Sequence, residues 1–167
     1  APDFSLSGVD GKTYSLKDFE GKDGLLVVFM CNHCPYVRAK LPAILKLYEK
    51  WGSRVSFVGI NSNDPNYEGE GMENMKTFAK ERNITFPYLL DDTQETAKKY
   101  GATCTPDPFL FNKNFELVFH GRIDDGIGPG EPVTENTMDQ VISDMLSGKA
   151  ISDEFKPSMG CSIKWLK

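Results

Sequence analysis

The sequence has no long apolar run, no basic cluster and few cysteines, and each shortage excludes a class of protein. Its longest apolar stretch, Leu25 to Met30, is far too short to span a bilayer. The formal net charge of −5 argues against nucleic acid or an anionic membrane surface as a partner. Four cysteines among 167 residues are too few for a disulfide scaffold, and a chain of this length buries a core without one. We therefore predict a single globular domain over residues 1–167, with no membrane span.

Patterns typical of strands and helices alternate along the chain. Residues 4–16 hold two short alternating segments on either side of Asp10-Gly11, which predicts an N-terminal β-hairpin. The continuous apolar run at 25–30 is typical of a buried central strand, and VSFVGI at 55–60 is predicted to be the next buried strand. The other predicted elements are helices from Pro35 to about Trp51 and over about 72–82, 93–100 and 134–146, a short strand within 84–91, and an antiparallel pair around Asn112 to Asn114. Together they predict a three-layer α/β/α sandwich with a mixed central sheet.

The C-terminal tail, residues 152–167, is irregular in pattern but contains Cys161, Ile163 and Trp165. Exposed apolar groups of this size cost free energy, so we expect the tail to pack on the domain. At the other end the chain begins at Ala1 instead of a methionine, which suggests trimming of upstream residues. A cytoplasmic location is favoured, and secretion or export to the periplasm remains an alternative.

The segment Cys31-Asn32-His33-Cys34 follows the first apolar run and precedes a helical pattern. This places both cysteines at the carboxyl end of a central strand and the amino end of a helix, where sites of open α/β sheets usually lie. The helix terminus and His33 both favour a thiolate, so we predict a pKa of Cys31 below that of a free thiol. Cys34, one turn on, is placed to resolve a mixed disulfide formed at Cys31.

Three other interpretations of these cysteines stay open. A zinc site needs a second close pair of ligands, whereas Cys104 and Cys161 are isolated and His120 lies in a strand pattern. A static disulfide between Cys31 and Cys34 would close a very small loop and restrain little chain entropy. In the third, the domain is a binding module whose thiols are incidental.

Several motifs resemble one family. They are APDFSL, CNHCPY, GINSND, CTP and PSMGCSIKW. This set resembles the redoxin-domain proteins of the alkyl hydroperoxide reductase/thiol-specific antioxidant superfamily. The resemblance covers nearly the whole chain and implies a thioredoxin-like fold and thiol–disulfide exchange with a protein or small-molecule partner, with no cofactor besides the cysteines. It also implies that Cys31 attacks, that Cys34 resolves, and that a cis Thr105-Pro106 bond shapes the docking groove.

The sequence departs from the patterns of this superfamily at two places. No acidic residue lies in the strand before Cys31, so the proton acceptor for Cys34 is sought at Asp64 or Asp107, either of which equally suits a turn or a cap. In the alternative of a peroxiredoxin-like peroxidase, Cys34 aligns with the peroxidatic cysteine, but Cys31 replaces the threonine that positions peroxide. Arg122 is then the available arginine.

Cys104 and Cys161 lie outside the CNHC segment, and the sequence allows two expectations for them. Buried, inert thiols are one expectation, because free cysteine is among the most buried residue types. The other is that Cys104 and Cys161 form a second redox or structural pair, which requires Cα atoms within about 7 Å.

Overall fold

The computed structural model describes residues 1–125, 133, 135–149, 151 and 160–165. Its strands are β1 (Ser5–Gly8), β2 (Thr13–Ser15), β3 (Gly24–Phe29), β4 (Val55–Asn61), β5 (Tyr88–Leu90), β6 (Cys104–Thr105), β7 (Asp107–Asn112), β8 (Leu117–His120) and β9 (Cys161–Ser162). Its helices are α1 (Pro35–Trp51), α2 (Met72–Glu81), α3 (Glu95–Tyr100) and α4 (Thr137–Leu146), with a 3₁₀ helix at Leu16–Phe19.

Seven strands form the central sheet in the order β2-β1-β5-β4-β3-β7-β8. Strands β3, β4 and β5 run parallel, whereas β1, β7 and β8 pair antiparallel with their neighbours. The predicted hairpin around Asp10-Gly11 is present as β1 and β2. The prediction of an α/β fold with a mixed central sheet is confirmed.

Strand β3 lies at the centre of the sheet, and all six of its residues are buried. Successive side chains of a strand point to opposite faces. Leu26 and Val28 join the apolar cluster formed with α1, α2 and α4, while Leu25, Val27 and Phe29 join the cluster formed with α3 and the 3₁₀ helix. Because helices cover both faces, β3 is a continuous apolar run without polar alternation.

The described part of the tail packs against the body of the domain. Strand β9 pairs antiparallel with β6, and Ile163 is 2% exposed. Trp165 was expected to be an anchor as well, but it is 40% exposed. Residues 152–159 of the predicted tail, and Thr134 at the predicted start of the last helix, lie outside the described residues. Within the described part of the chain, no helix is long and apolar enough to cross a bilayer.

Candidate active site

The two cysteines of CNHC lie where β3 ends and α1 begins. Met30 donates its backbone N–H to Ile60, extending the pairing of β3 with β4 by one residue, and α1 starts at Pro35 with Cys34 as its N-cap. Proline suits this first helical position because the N–H it lacks would have no partner within the helix. Both Cys31 and Cys34 are fully buried.

Cys34 forms a disulfide with Cys161, with their Cα atoms 6.4 Å apart. Cys31 and Cys104 are free thiols. The disulfide expected between Cys31 and Cys34 is therefore not the one present. The bond was missed because Cys161 is 127 residues away in sequence, and only the pairing of β9 with β6 brings it to the site.

Neither of the two expectations for Cys161 holds, because it is bonded to Cys34 instead of pairing with Cys104 or remaining an inert thiol. In the β6–β9 pair, Cys161 lies opposite Thr105, whereas Cys104 lies opposite Ser162. Because adjacent residues of a strand point to opposite sides, Cys104 faces away from the side on which Cys161 and Thr105 meet Cys34.

The peptide bond between Thr105 and Pro106 is cis, as predicted. Thr105 lies against both cysteines of the CNHC segment. Its Oγ1 is 3.4 Å from the Cys31 sulfur, and its carbonyl oxygen is 3.7 Å from the Cys34 sulfur. The placement of Thr105-Pro106 beside the cysteines is thus confirmed.

The pKa predicted for Cys31 is wrong in sign. Burial, followed by the negative charge of Glu70, raises the pKa of Cys31 to about 11. Hydrogen bonds from Thr105 and from the backbone N–H groups of Cys34 and His33 oppose this rise but do not offset it. The helix terminus acts as predicted, but desolvation of the thiolate outweighs it.

Glu70 is the acidic residue of the site, and sequence reasoning missed it. Its buried carboxylate accepts hydrogen bonds from the backbone N–H groups of Asn32 and His33 at 3.1 and 3.4 Å. The side-chain amides of Asn61 and Asn63 donate to it at 3.0 and 3.2 Å. Glu70 therefore holds the CNHC segment against the loop that follows β4.

A signal for Glu70 was present in the glycine-bearing loop NSNDPNYEGEG after β4. Strands β3 and β4 are parallel, so the segments that follow them meet at one edge of the sheet. The loop offers Asp64, Glu68 and Glu70, and nothing in the local pattern distinguishes the carboxylate that turns inward. Glu68 is exposed, and Asp64 accepts from the N–H of Asn66 as a turn residue does.

His33 connects this carboxylate to the surface. Its Nδ1–H donates to Glu70, and its ring lies 4.9 Å from the ring of Tyr67, which is 43% exposed.

Cys31, His33 and Glu70 each offer a ligand atom within 4.8 Å of the others. This thiol, imidazole and carboxylate are a donor set that zinc accepts, although both Glu70 oxygens already accept hydrogen bonds.

Asp107, Arg122 and Cys104, the other residues that the sequence offered for the site, have partners outside the CNHC segment. The Asp107 carboxylate contacts His120 Nε2 at 2.6 Å. Arg122 donates to Thr137 Oγ1 at 2.9 Å and forms an ion pair with Glu135 at 3.5 Å. Cys104 is partly buried, and burial together with the charge of Asp107 raises its pKa to about 11. The described contacts of Asp107 and Arg122 are thus with residues other than Cys31 and Cys34.

Known proteins resemble the chain in sequence and in fold. The crystal structure of an uncharacterised conserved protein from Geobacillus kaustophilus superposes with a TM-score of 0.93 at 41% identity, covering 99% of this chain and 90% of that one. The thiol-disulfide oxidoreductase ResA of Bacillus thuringiensis subsp. konkukian is 28% identical over 119 residues, which are 71% of this chain and 65% of that relative. The chain thus spans slightly less than two thirds of that relative's length.

The exposed lipoprotein thioredoxin of Streptococcus pneumoniae superposes with a TM-score of 0.64 at 26% identity, covering 88% of this chain and 99% of that one. This likeness confirms the predicted thioredoxin-like fold. The model of the AhpC/TSA family matches residues 1–120, which include Cys31, Cys34 and Thr105-Pro106. The chain belongs to the AhpC/TSA family.

Proposed function

We propose that the protein is a thiol–disulfide oxidoreductase in which Cys34 exchanges disulfide partners between Cys161, Cys31 and a substrate. The observation that carries the proposal is the Cys34–Cys161 disulfide beside the free thiol of Cys31. The named activity of the relative from Bacillus thuringiensis supports it. The sequence assigned the first attack to Cys31, whereas this arrangement favours Cys34 as the cysteine bonded to the substrate and Cys31 as the resolving thiol.

The internal step replaces the Cys34–Cys161 disulfide by a Cys31–Cys34 disulfide, so the protein as a whole is neither oxidised nor reduced. Cys31 loses its proton to Glu70 through one bridging water molecule, because the sulfur and the carboxylate lie within 4.8 Å of each other. The Cys31 thiolate then attacks the Cys34 sulfur, the bond from Cys34 to Cys161 breaks, and Cys161 leaves as a thiolate that takes up a proton. A base is needed because a thiol with a pKa of about 11 is protonated near neutral pH.

The external step oxidises or reduces a substrate. A substrate thiolate attacks Cys34 in the Cys31–Cys34 disulfide, forming a mixed disulfide and releasing the Cys31 thiolate. A second substrate thiol then displaces Cys34, so the substrate gains a disulfide and the Cys31–Cys34 pair is reduced by two electrons. The reverse sequence reduces a substrate disulfide. Protein or small-molecule thiols and disulfides are the proposed substrate class.

His33, Thr105 and Pro106 complete the proposed site. His33 holds Glu70 by a hydrogen bond, and the hydroxyl of Thr105 lies within hydrogen-bond distance of the Cys31 sulfur. Pro106 follows Thr105 through the cis bond and immediately precedes β7.

Exchange with a dithiol substrate tests this function. Cys34→Ser should abolish catalysed reduction of a protein disulfide and catalysed oxidation of a dithiol peptide. Cys104→Ser is the matched control and should keep the wild-type rates. Full activity in Cys34→Ser would contradict the assignment of the exchange to Cys34. A wild-type protein that catalyses neither reaction would contradict the proposed function and favour a binding module with incidental thiols.

Peroxidase activity has less support from the site. In the peroxiredoxin interpretation Arg122 would face peroxide, but its described contacts are with Thr137 and Glu135. Hydrogen peroxide should therefore oxidise the reduced protein no faster than it oxidises a free thiol of similar pKa.

A further inference from the structure

We propose that the tail residues 160–165 occupy the substrate groove, the strand position beside Thr105 and Cys34, as an internal substrate. The sequence of the tail then indicates which residues a substrate carries around its reactive cysteine. The preferred substrate is an extended protein segment with glycine immediately before its reactive cysteine and an apolar residue two positions after it. This inference rests on the proposed function, because it assigns the substrate position of the same site.

The tail binds the domain as an extended peptide would. Thr105 and Cys161 face each other in an antiparallel strand pair, so the backbone of the tail lies alongside the residue before the cis proline. Further bonds follow along the tail: Ile163 donates its N–H to the Thr103 carbonyl at 3.1 Å, and Lys164 donates its N–H to Asn63 Oδ1 at 2.9 Å. Main-chain bonds of this kind give affinity in strand addition, while pockets for side chains give specificity.

The position before the cysteine accepts only glycine. A Cβ on Gly160 would lie 2.1 Å from the carbonyl oxygen of Thr105 and 2.6 Å from its carbonyl carbon. Real Cβ atoms do not approach heavy atoms so closely, and the opposing atoms belong to backbone beside Cys34. Any larger residue would have to move the tail backbone away from Thr105, and with it the cysteine sulfur.

The position two residues after the cysteine is apolar. Ile163 is 2% exposed and belongs to the apolar cluster that includes Leu89, Ala97 and Ala102. By contrast, the side chain of Ser162 is exposed, so the position between them is open to other residues. The selected pattern is therefore glycine, cysteine, any residue, then an apolar residue.

The same arrangement makes the tail a competitor of external substrates. While Cys34 is bonded to Cys161, the strand position beside Thr105 is occupied. When Cys31 displaces Cys161, the tail can leave and a substrate segment can take its place. The substrate cysteine then forms with Cys34 the bond that Cys161 formed, so the chemical step is unchanged.

Peptide exchange with full-length variants tests the proposal. The double variant Gly160→Ala/Cys161→Ser displaces the tail and removes its thiol, and Cys161→Ser alone keeps the tail in the groove. Both are reduced and then mixed with the peptide Gly-Cys-Ser-Ile-Lys-Trp, carried as a disulfide with a chromogenic thiol. Matched peptides have valine in place of glycine or aspartate in place of isoleucine.

We expect the glycine peptide to react with the double variant at least about tenfold faster than either altered peptide, a difference of about 1.4 kcal/mol in barrier. In Cys161→Ser the order should be the same and all rates slower, since the tail competes. This second variant decides the matter if the double variant does not fold. With Cys31→Ser added, mass spectrometry should find the peptide trapped on Cys34.

Two results would overturn the inference in distinguishable ways. Equal rates for the three peptides, all faster than with free cysteine, would contradict the selectivity and leave the proposed function intact. Rates no faster than free cysteine for every peptide would contradict the proposed function and the inference together.

Discussion

Cys161 lies directly opposite Thr105 in a strand pair, and its sulfur is bonded to Cys34, whose own sulfur lies 3.7 Å from the Thr105 carbonyl oxygen. Three residues that are far apart in sequence thus converge on the amino end of α1. The bond is held by two short strands and by the tail residues that follow them, so changes at this junction should show in both chemistry and stability.

Removing Cys161 should redirect the disulfide. In Cys161→Ser, Cys34 loses its partner while Cys31 keeps its place beside it, so mild oxidation should give a Cys31–Cys34 disulfide. Peptide mapping by mass spectrometry under non-reducing conditions measures this. The control Cys104→Ser should retain the Cys34–Cys161 disulfide. In Cys161→Ser, a Cys34–Cys104 disulfide would contradict the exchange step, and so would Cys31 and Cys34 both remaining as thiols.

The same disulfide should stabilise the fold. A crosslink spanning 127 residues reduces the entropy of the unfolded chain. In the chain-entropy model this contributes about 5 kcal/mol for a loop of this size. Urea denaturation should therefore show a free energy of unfolding lower by up to about this amount in Cys161→Ser, with a change within about 1 kcal/mol in Cys104→Ser. Equal stability of oxidised wild type and Cys161→Ser would refute the crosslinking role.

The thiol of Cys31 should ionise at a higher pH than an ordinary cysteine thiol. Its pKa is raised from 9.0 to about 11, so it stays protonated in the folded protein over a range where an unfolded thiol ionises. Because the pKa of Cys31 is higher in the folded than in the unfolded protein, the protonated thiol contributes to the free energy of unfolding. This contribution is complete at pH values below the unfolded pKa and is lost as pH rises from about 9 to about 11. Carbon NMR of labelled cysteine Cβ in the Cys104→Ser protein, with Cys34–Cys161 intact, isolates Cys31. A midpoint below 9 would show that the helix terminus dominates after all.

Replacing Glu70 should separate its charge from its role as a base. Glu70→Gln removes the negative charge that raises the pKa of Cys31, so that pKa should fall. A lower pKa alone would speed exchange near neutral pH. We instead expect the displacement of Cys161 to slow by about tenfold or more, because the proton acceptor is gone. Glu68→Gln, at an exposed position of the same loop, is the control. Faster exchange in Glu70→Gln would leave Glu70 with a structural role only.

Thr105→Val should raise the pKa of Cys31 further, since the Thr105 hydroxyl lowers it and valine has a similar shape without the oxygen. The NMR titration described for Cys31 measures the effect. Thr103→Val is the matched control, because the Thr103 side chain is exposed and its backbone carbonyl, which accepts from Ile163 of the tail, is kept in the variant. An unchanged titration in Thr105→Val would exclude a role of its hydroxyl in tuning the thiol.

The fold was predictable because its signals are local. Apolar runs marked β3 and β4, Asp10-Gly11 marked the first hairpin, and motifs shared with a family placed the cis Thr105-Pro106 bond. The disulfide was not predictable in this way. Cys104 and Thr105 differ by one position, and which of them faces Cys161 depends on the register of a two-residue strand pair.

The electrostatics of the site were missed for a similar reason. A helix terminus beside Cys31 is visible in the sequence, and its effect on the thiolate was predicted with the correct direction. The depth of burial of Cys31 and the inward turn of Glu70 depend on how the loop after β4 packs over the CNHC segment. These long-range effects are larger than the local one, so the sign of the pKa shift was wrong.

The partly exposed Trp165 supplies the protein with an optical reporter. The chain has two tryptophans. The indole of Trp51 donates to Asp139 at 2.8 Å, whereas the Trp165 ring lies in the tail, 5.8 Å from the ammonium of Lys98. Departure of the tail from the groove changes the surroundings of Trp165 and leaves those of Trp51 in place. Fluorescence emission can therefore follow the opening of the groove in real time on the unlabelled protein, with Trp165→Phe supplying the background from Trp51.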